Sequence, residues 1–329
     1  MASRNPLFRF FDALSPTVVR ILRIFAAAGL LFLVAWFVDI TEAVNQLKQT
    51  DWRWLVPACI LVQFQVVLSA VRWKITANRL GQPLTARRAI SEYYLATFAN
   101  LSLPGGITGD AARVYRNRQP RALDISVHSV MIERLAGQIA LLVVSIVGWM
   151  AWPVIMQGGV PEFGGRVLGV ALVLILLVVL SIILIIRFAP DWMTRFVVNF
   201  GPALYCAWLA DRQWIVQSVL SLAIVLTYVL VFLLSSYAVQ VPLPLTAMVT
   251  IVPLVLLSMV IPLSIGGWGI REASAAVLWP LAGLSSEAGI ATSVVYALVS
   301  LIACLPGLLF MSIRPDRVLT RKPEHIDRK

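Results

Sequence analysis

Two groups of residues, about half a chain apart, carry the types and spacing that could do chemistry. Leu103-Pro104-Gly105-Gly106-Ile107-Thr108-Gly109-Asp110 leads to Arg113, and Ser264-Ile265-Gly266-Gly267-Trp268-Gly269-Ile270 runs straight into Arg271 and Glu272. Proline stops a helix and glycine allows a sharp reversal. Thr108 and Gly109 are placed to cap a new short helix carrying Asp110 and Arg113, and Gly269 does the same for Arg271 and Glu272. Two such helix starts would offer free N–H groups and the positive end of a helix dipole to an anion, with phosphate the natural guest. Paired Gly-rich interruptions in two halves of a membrane protein point to a transport-type site.

Glu133 and Arg134 form a third charged group, inside an apolar segment that starts near residue 125. Eight residues at ~1.5 Å each put them roughly 12 Å deep. Charge at that depth faces a cavity or a partner. Glu133 is a plausible partner for Arg113 or for Arg271, and the sequence does not choose between them.

The elements that must hold these residues are membrane segments. The 329 residues are 60% hydrophobic and 13% charged, with a mean hydropathy of +0.86. Soluble domains are nearer 45–50% apolar and about 25% charged. Apolar segments lie at about 20–38, 53–71, 89–104, 125–151, 167–187, 214–238, 246–265 and 287–312. The net charge of +11 (27 Lys+Arg against 16 Asp+Glu) collects at segment ends. That pattern signals topology and anionic headgroups, not nucleic acid.

The connection 39–52 is acidic, while 72–88 and 113–121 are basic with no acid. The positive-inside bias then puts both flanks of 89–112 on the cytoplasmic side, which a re-entrant hairpin satisfies and a full crossing does not. The second hairpin, around the 264–272 break, enters from outside. The expected fold is an all-α polytopic membrane protein with about six full transmembrane helices plus two re-entrant or broken helix elements, arranged as an inverted repeat. Residues 1–19 and 313–329 are cytoplasmic ends, and 20–312 is one transmembrane domain with halves at about 20–151 and 167–312.

Plainer readings stand beside these. Asp110 and Arg113 also fit an i,i+3 pair at the interface, and Glu133–Arg134 fits a structural pair. Arg72, Arg87, Arg88, Arg116, Arg118 and Arg121 read as topology determinants and headgroup contacts. His128 reads as an interfacial side chain, and the tryptophans at 36, 52, 54, 73, 149, 152 and 192 as interface belts. Cys59, Cys206 and Cys304 are isolated, two histidines are too few for a His-based metal site, and no P-loop or H-E-x-x-H is present. Ser264 and His128 are the only conventional nucleophile or base candidates, and their spacing suggests no triad.

The ordered series Ala70-Val71-Arg72-Trp73, Leu80-Gly81, Asn100-x-x-Leu103-Pro104-Gly105-Gly106-x-x-Gly109-Asp110-x-x-Arg113, Glu133-Arg134-x-x-Gly137, Pro262-x-Ser264-x-Gly266-Gly267-x-Gly269-x-Arg271-Glu272 and Gly283-Leu284-Ser285 resembles the lysylphosphatidylglycerol synthase transmembrane-region family. That family is the flippase-like membrane domain of multiple-peptide-resistance proteins. The resemblance implies a multi-pass protein of the bacterial inner membrane that moves anionic or aminoacylated phospholipids, with both termini cytoplasmic. No aminoacyl-transferase domain follows residue 312 in this sequence, so synthesis of a lysyl-lipid is not expected. Tyr296 is followed by Ala297, where the family pattern often has arginine, which leaves the lipid open.

The expected substrate-contacting set is Asn100, Pro104, Gly105, Gly106, Thr108, Gly109, Asp110, Arg113, Glu133, Arg134, Ser264, Gly266, Gly267, Gly269, Arg271 and Glu272. The expected partners are membrane lipids with anionic headgroups, with no cofactor, metal or nucleic acid. The favoured reading is a lipid flippase. A scaffold or regulator of lipid or envelope synthesis, or an intramembrane enzyme on a lipid-linked substrate, are the alternatives.

Overall fold

The computed structural model describes residues 45, 47–103, 106–118, 123–155, 191–259 and 267–309. The expected crossings near 20–38 and 167–187, the two chain ends, and Pro104, Gly105, Ser264 and Gly266 lie outside the described residues. Within them the chain is helical throughout.

Helix α1 (Leu55–Arg79) ends at Leu80, and Gly81 turns the chain. Thr85 accepts a hydrogen bond from Arg88 N and so starts α2 (Ala86–Ser102). After the Pro-Gly-Gly break comes α3 (Thr108–Arg116), then α4 (Leu123–Ile155). Helices α5 (Asp191–Leu204) and α6 (Gln213–Ala238) follow. The second half continues with α7 (Leu245–Ser258), α8 (Ile270–Leu278), α9 (Ser286–Ala303), which Ser285 caps, and the short α10 (Pro306–Leu309).

Among the described residues, four apolar stretches are long enough to cross a membrane: Trp52–Arg79, Leu123–Trp152, Thr194–Ala238 and Ser286–Leu309. Each overlaps an expected crossing. The third, at 45 residues, is well beyond the ~20 a bilayer needs. Asp211 and Arg212 have positive φ (53° and 57°) and break it, so α6 is the crossing. Helix α5 is a separate helix, where the sequence reading expected only a polar loop.

The packing repeats itself. Helices α1 and α6 lie side by side, and exchanging α1, α2, α3, α4 for α6, α7, α8, α9 turns the set of main helix contacts into itself. Thus α2 packs on α1 and α3, as α7 does on α6 and α8; α3 packs on α4 as α8 does on α9; α4 meets α7 as α9 meets α2. The two equivalents α1 and α6 run antiparallel. Asp51 N donates to Ala238 O at 2.8 Å at one end, and Arg79 Nη2 donates to Asp211 Oδ2 at 2.6 Å at the other. An internal repeat whose matching helices oppose one another is an inverted repeat.

The repeat extends to individual atoms. A Cβ on Gly148 would stand 2.2 Å from Val249 O, and one on Gly307 would stand 2.6 Å from Tyr94 O. Each half therefore uses one glycine to let a crossing helix touch the backbone of the other half's α2 or α7.

Helices α2 and α3 form an antiparallel hairpin. Arg88 donates to Asn117 Oδ1 (2.7 Å) and Arg116 O (2.9 Å), Arg116 Nε donates to Glu92 (2.9 Å), and Gly109 N donates to Asn100 Oδ1 (2.8 Å). Both ends of the hairpin therefore come back to one place, beside the end of α1. Helix α7 likewise lies against α8 and the turn Trp279–Ala282 beyond it.

Candidate functional site

The apolar packing of α1, α2, α3 and α4 encloses a charged centre. Glu133 of α4 is fully buried and accepts from three donors: Arg72 Nη2 at 2.7 Å, Arg113 Nη2 at 3.1 Å and Tyr93 Oη at 3.1 Å. Arg113 Nη2 also donates to Asp110 Oδ1 at 2.9 Å, and Arg134 Nη2 pairs with Asp110 Oδ2 at 2.8 Å. Asn100 Nδ2 adds a bond to Asp110 Oδ2 at 3.2 Å, and Arg72 Nη1 donates to Ser221 Oγ of α6 at 2.9 Å. Five charged residues from three elements thus form one network.

Charge does not balance there. Three guanidiniums (Arg72, Arg113, Arg134) face two carboxylates (Asp110, Glu133), leaving one positive charge. Arg113 has Nε and Nη1 buried without a hydrogen-bond partner, and Arg72 and Arg134 each have such an Nε. The Arg113 guanidinium lies between the faces of Trp73 and Tyr93, 4.5 and 4.7 Å from their centroids. Ring faces offset part of its lost hydration. Arg134, 39% exposed, carries the third positive charge on the open side of the cluster, where an anion can meet it.

The second half carries a smaller, neutral counterpart. Arg271 donates to Ser293 Oγ (2.8 Å) and Glu272 Oε1 (2.6 Å), and Ser293 Oγ donates to the same carboxylate oxygen (3.0 Å). Arg271 lies near Tyr296 (5.2 Å) and Trp268 (5.6 Å), with Nη1 unpartnered. Both acids occupy the third position of their short helices, Asp110 in α3 and Glu272 in α8.

Several expectations are corrected. Arg72 is no headgroup contact: roughly 10 Å of helix separates it from the end of α1 at Arg79, and it is 3% exposed. The 72–88 connection therefore shrinks to the few residues after Arg79. Thr108 does not cap α3; it is the first helical residue and donates to Ala99 O, while Asn100 caps the helix through Gly109 N. Gly269 does precede α8, but Glu272 Oε2 takes its N–H at 2.6 Å. At each helix start a side chain of the protein already takes one N–H, Asn100 at α3 and Glu272 at α8.

Asp110–Arg113 is a buried pair and not an interfacial one, and Glu133 and Arg134 bind other partners rather than each other. Glu133 belongs to Arg72 and Arg113, and Arg271 is elsewhere. His128 is buried against α5, with Nε2 3.2 Å from Phe196 O. Trp73 and Trp152 are buried, unlike Trp52, which is 69% exposed.

Asn100, Asp110, Arg113, Glu133 and Arg134 come together, with Gly109 and Thr108 beside them. Gly267, Gly269, Arg271 and Glu272 form the second group, and Gly106 is a half-buried turn residue with φ 62°. Among the described residues no ion pair joins the two groups. The sequence reading missed Arg72, Tyr93 and Ser293. Arg72 stands just past the apolar run 53–71, so nothing local set it apart from the topology arginines.

The family model of the lysylphosphatidylglycerol synthase TM region matches residues 20–307. The chain belongs to this family. Membership makes it a multi-pass membrane protein of lipid metabolism or transport, and the charged centre and both hairpins fall inside the matched span. No curated protein and no solved structure matches the chain.

Proposed function

We propose that this chain is a lipid flippase. It moves an anionic or aminoacylated phospholipid, or a lipid-linked headgroup, across the bacterial inner membrane without changing it chemically. The observation that carries this reading is the excess of positive charge in the cluster of α1, α3 and α4, with Arg134 39% exposed on its open side. A headgroup phosphate would accept hydrogen bonds there, and the Arg113 and Arg134 guanidiniums offer the fork geometry phosphate prefers. The α2–α3 and α7–α8 pairs are read as re-entrant hairpins approaching from opposite faces, with both chain ends cytoplasmic. That arrangement suits alternating access around a fixed site. No nucleotide motif is present, so movement is passive or ion-coupled.

The test is leaflet-resolved lipid scrambling in proteoliposomes, comparing wild type with Arg113→Gln and Arg271→Ala. Movement by wild type that is lost in Arg113→Gln supports the flippase. Chemically altered lipid would identify an enzyme instead. Equal, background-level movement in all three proteins would leave the buried centre a structural element of a scaffold.

A further inference from the structure

The two carboxylates of the charged centre differ in access. Glu133 is sealed, with three donors and no exposure. Asp110 keeps 12% of its side chain exposed, and its partner Arg134 keeps 39%, while Arg72 and Arg113 keep 4% and 0%. Of the three arginines, Arg134 is therefore the one an anion from the open side meets first, and among the described residues its ion pair is with Asp110. Asp110 bridges the two arginines, Oδ1 on Arg113 Nη2 and Oδ2 on Arg134 Nη2, so an anion that takes both of these donors displaces it.

Resting on the flippase reading of this site, we propose that Asp110 is a proton-carrying gate residue. An incoming anionic group displaces it from Arg113 and Arg134, and the released carboxylate takes up one proton. Displacement leaves Asp110 beside a second anion with its cations turned away. Two like charges in a water-poor site do not both stay ionised. Asp110 contacts Arg113 on its own helix, Asn100 from α2 and Arg134 from α4, and Glu133 of α4, bonded to Tyr93 of α2, shares Arg113 with it. Arg72 of α1 acts through Glu133.

Of these, Glu133 stays ionised by keeping Arg72, so Asp110 is where the proton goes. The proton comes from water on the side the anion came from, and returns to water when the anion leaves and Asp110 regains its arginines. No covalent bond changes. Each anion carried thus takes one proton along, and the centre keeps the same net charge empty and loaded.

The test is calorimetric titration of the full chain in detergent in imidazole and in Tris. Both buffers are cationic and do not compete, and their protonation enthalpies differ. The probes are dihexanoyl phosphatidylglycerol and inorganic sulfate, neither of which titrates near neutral pH. Wild type is expected to show a buffer-dependent heat equal to about one proton taken up per anion. Asp110→Asn, checked for folding by thermal unfolding, is expected to bind at least as tightly with that dependence gone.

Binding of the lipid alone assigns the site to a headgroup, and binding of both probes with the same proton uptake assigns it to the anionic group itself. Binding by wild type with equal heats in both buffers overturns the proposal while leaving the anion site intact. That result decides the matter even if the variant does not fold. Failure of both probes to bind removes the anion site, and the proposal with it.

Discussion

The buried charges set one another's stability. Glu133 is satisfied only while Arg72, Arg113 and Tyr93 all reach it, and removing one partner of a buried ion pair costs about 3–5 kcal/mol. Arg72→Ala is therefore expected to lower the unfolding temperature in detergent markedly. Adding Glu133→Gln should recover part of that loss, so that the two changes are clearly less than additive; strictly additive shifts would show that the residues act apart. At this scale the sequence was half legible. Asp110, Arg113, Glu133 and Arg134 stood out because charge in an apolar segment is costly. Arg72 did not, because a cation near a segment's cytoplasmic end has an ordinary topological explanation, and only the register of α1 against α4 shows which way it points.

Close backbone approach, made possible by single glycines, holds the elements in place. A Cβ at Gly109 would lie 2.0 Å from Ala96 O, and no rotamer relieves a clash with backbone. Gly109→Ala should force α3 off α2 and destabilise the protein by about 1–3 kcal/mol, together with loss of lipid movement. Gly201 of α5 has open space around it, so Gly201→Ala should be neutral or stabilise by up to about 1 kcal/mol through helix propensity. A thermal unfolding comparison of the two variants reads this directly, and equal shifts would contradict it. The four described crossings and the break between α2 and α3 were legible from apolar runs, the Pro-Gly pair and loop charge. Helix α5 was not: its polar and apolar residues share a short stretch whose mean composition looks like a loop, and only helical winding separates them, with Phe196 and Phe200 turned onto His128.

At the scale of the whole molecule, the inverted halves put the turn after α1 and the turn after α6 on opposite faces of the bilayer. With Cys59, Cys206 and Cys304 replaced, a membrane-impermeant thiol reagent added outside intact cells should label Gln240→Cys and spare Pro83→Cys until the cells are opened. Labelling of both from one side would rule out the inversion. The sequence supported this plan through the charge of its connections, yet it gave no sign that α1 and α6 are the helices that meet, because pairing between distant segments leaves no local pattern. That pairing is fastened at each end, by Asp51 N to Ala238 O and by Arg79 to Asp211. On the flippase reading this doubly tied spine is the frame, and the stroke belongs to the flaps hung on either side of it. Spin labels placed along the spine should keep their separations through the cycle, while a label on either flap should report two distances.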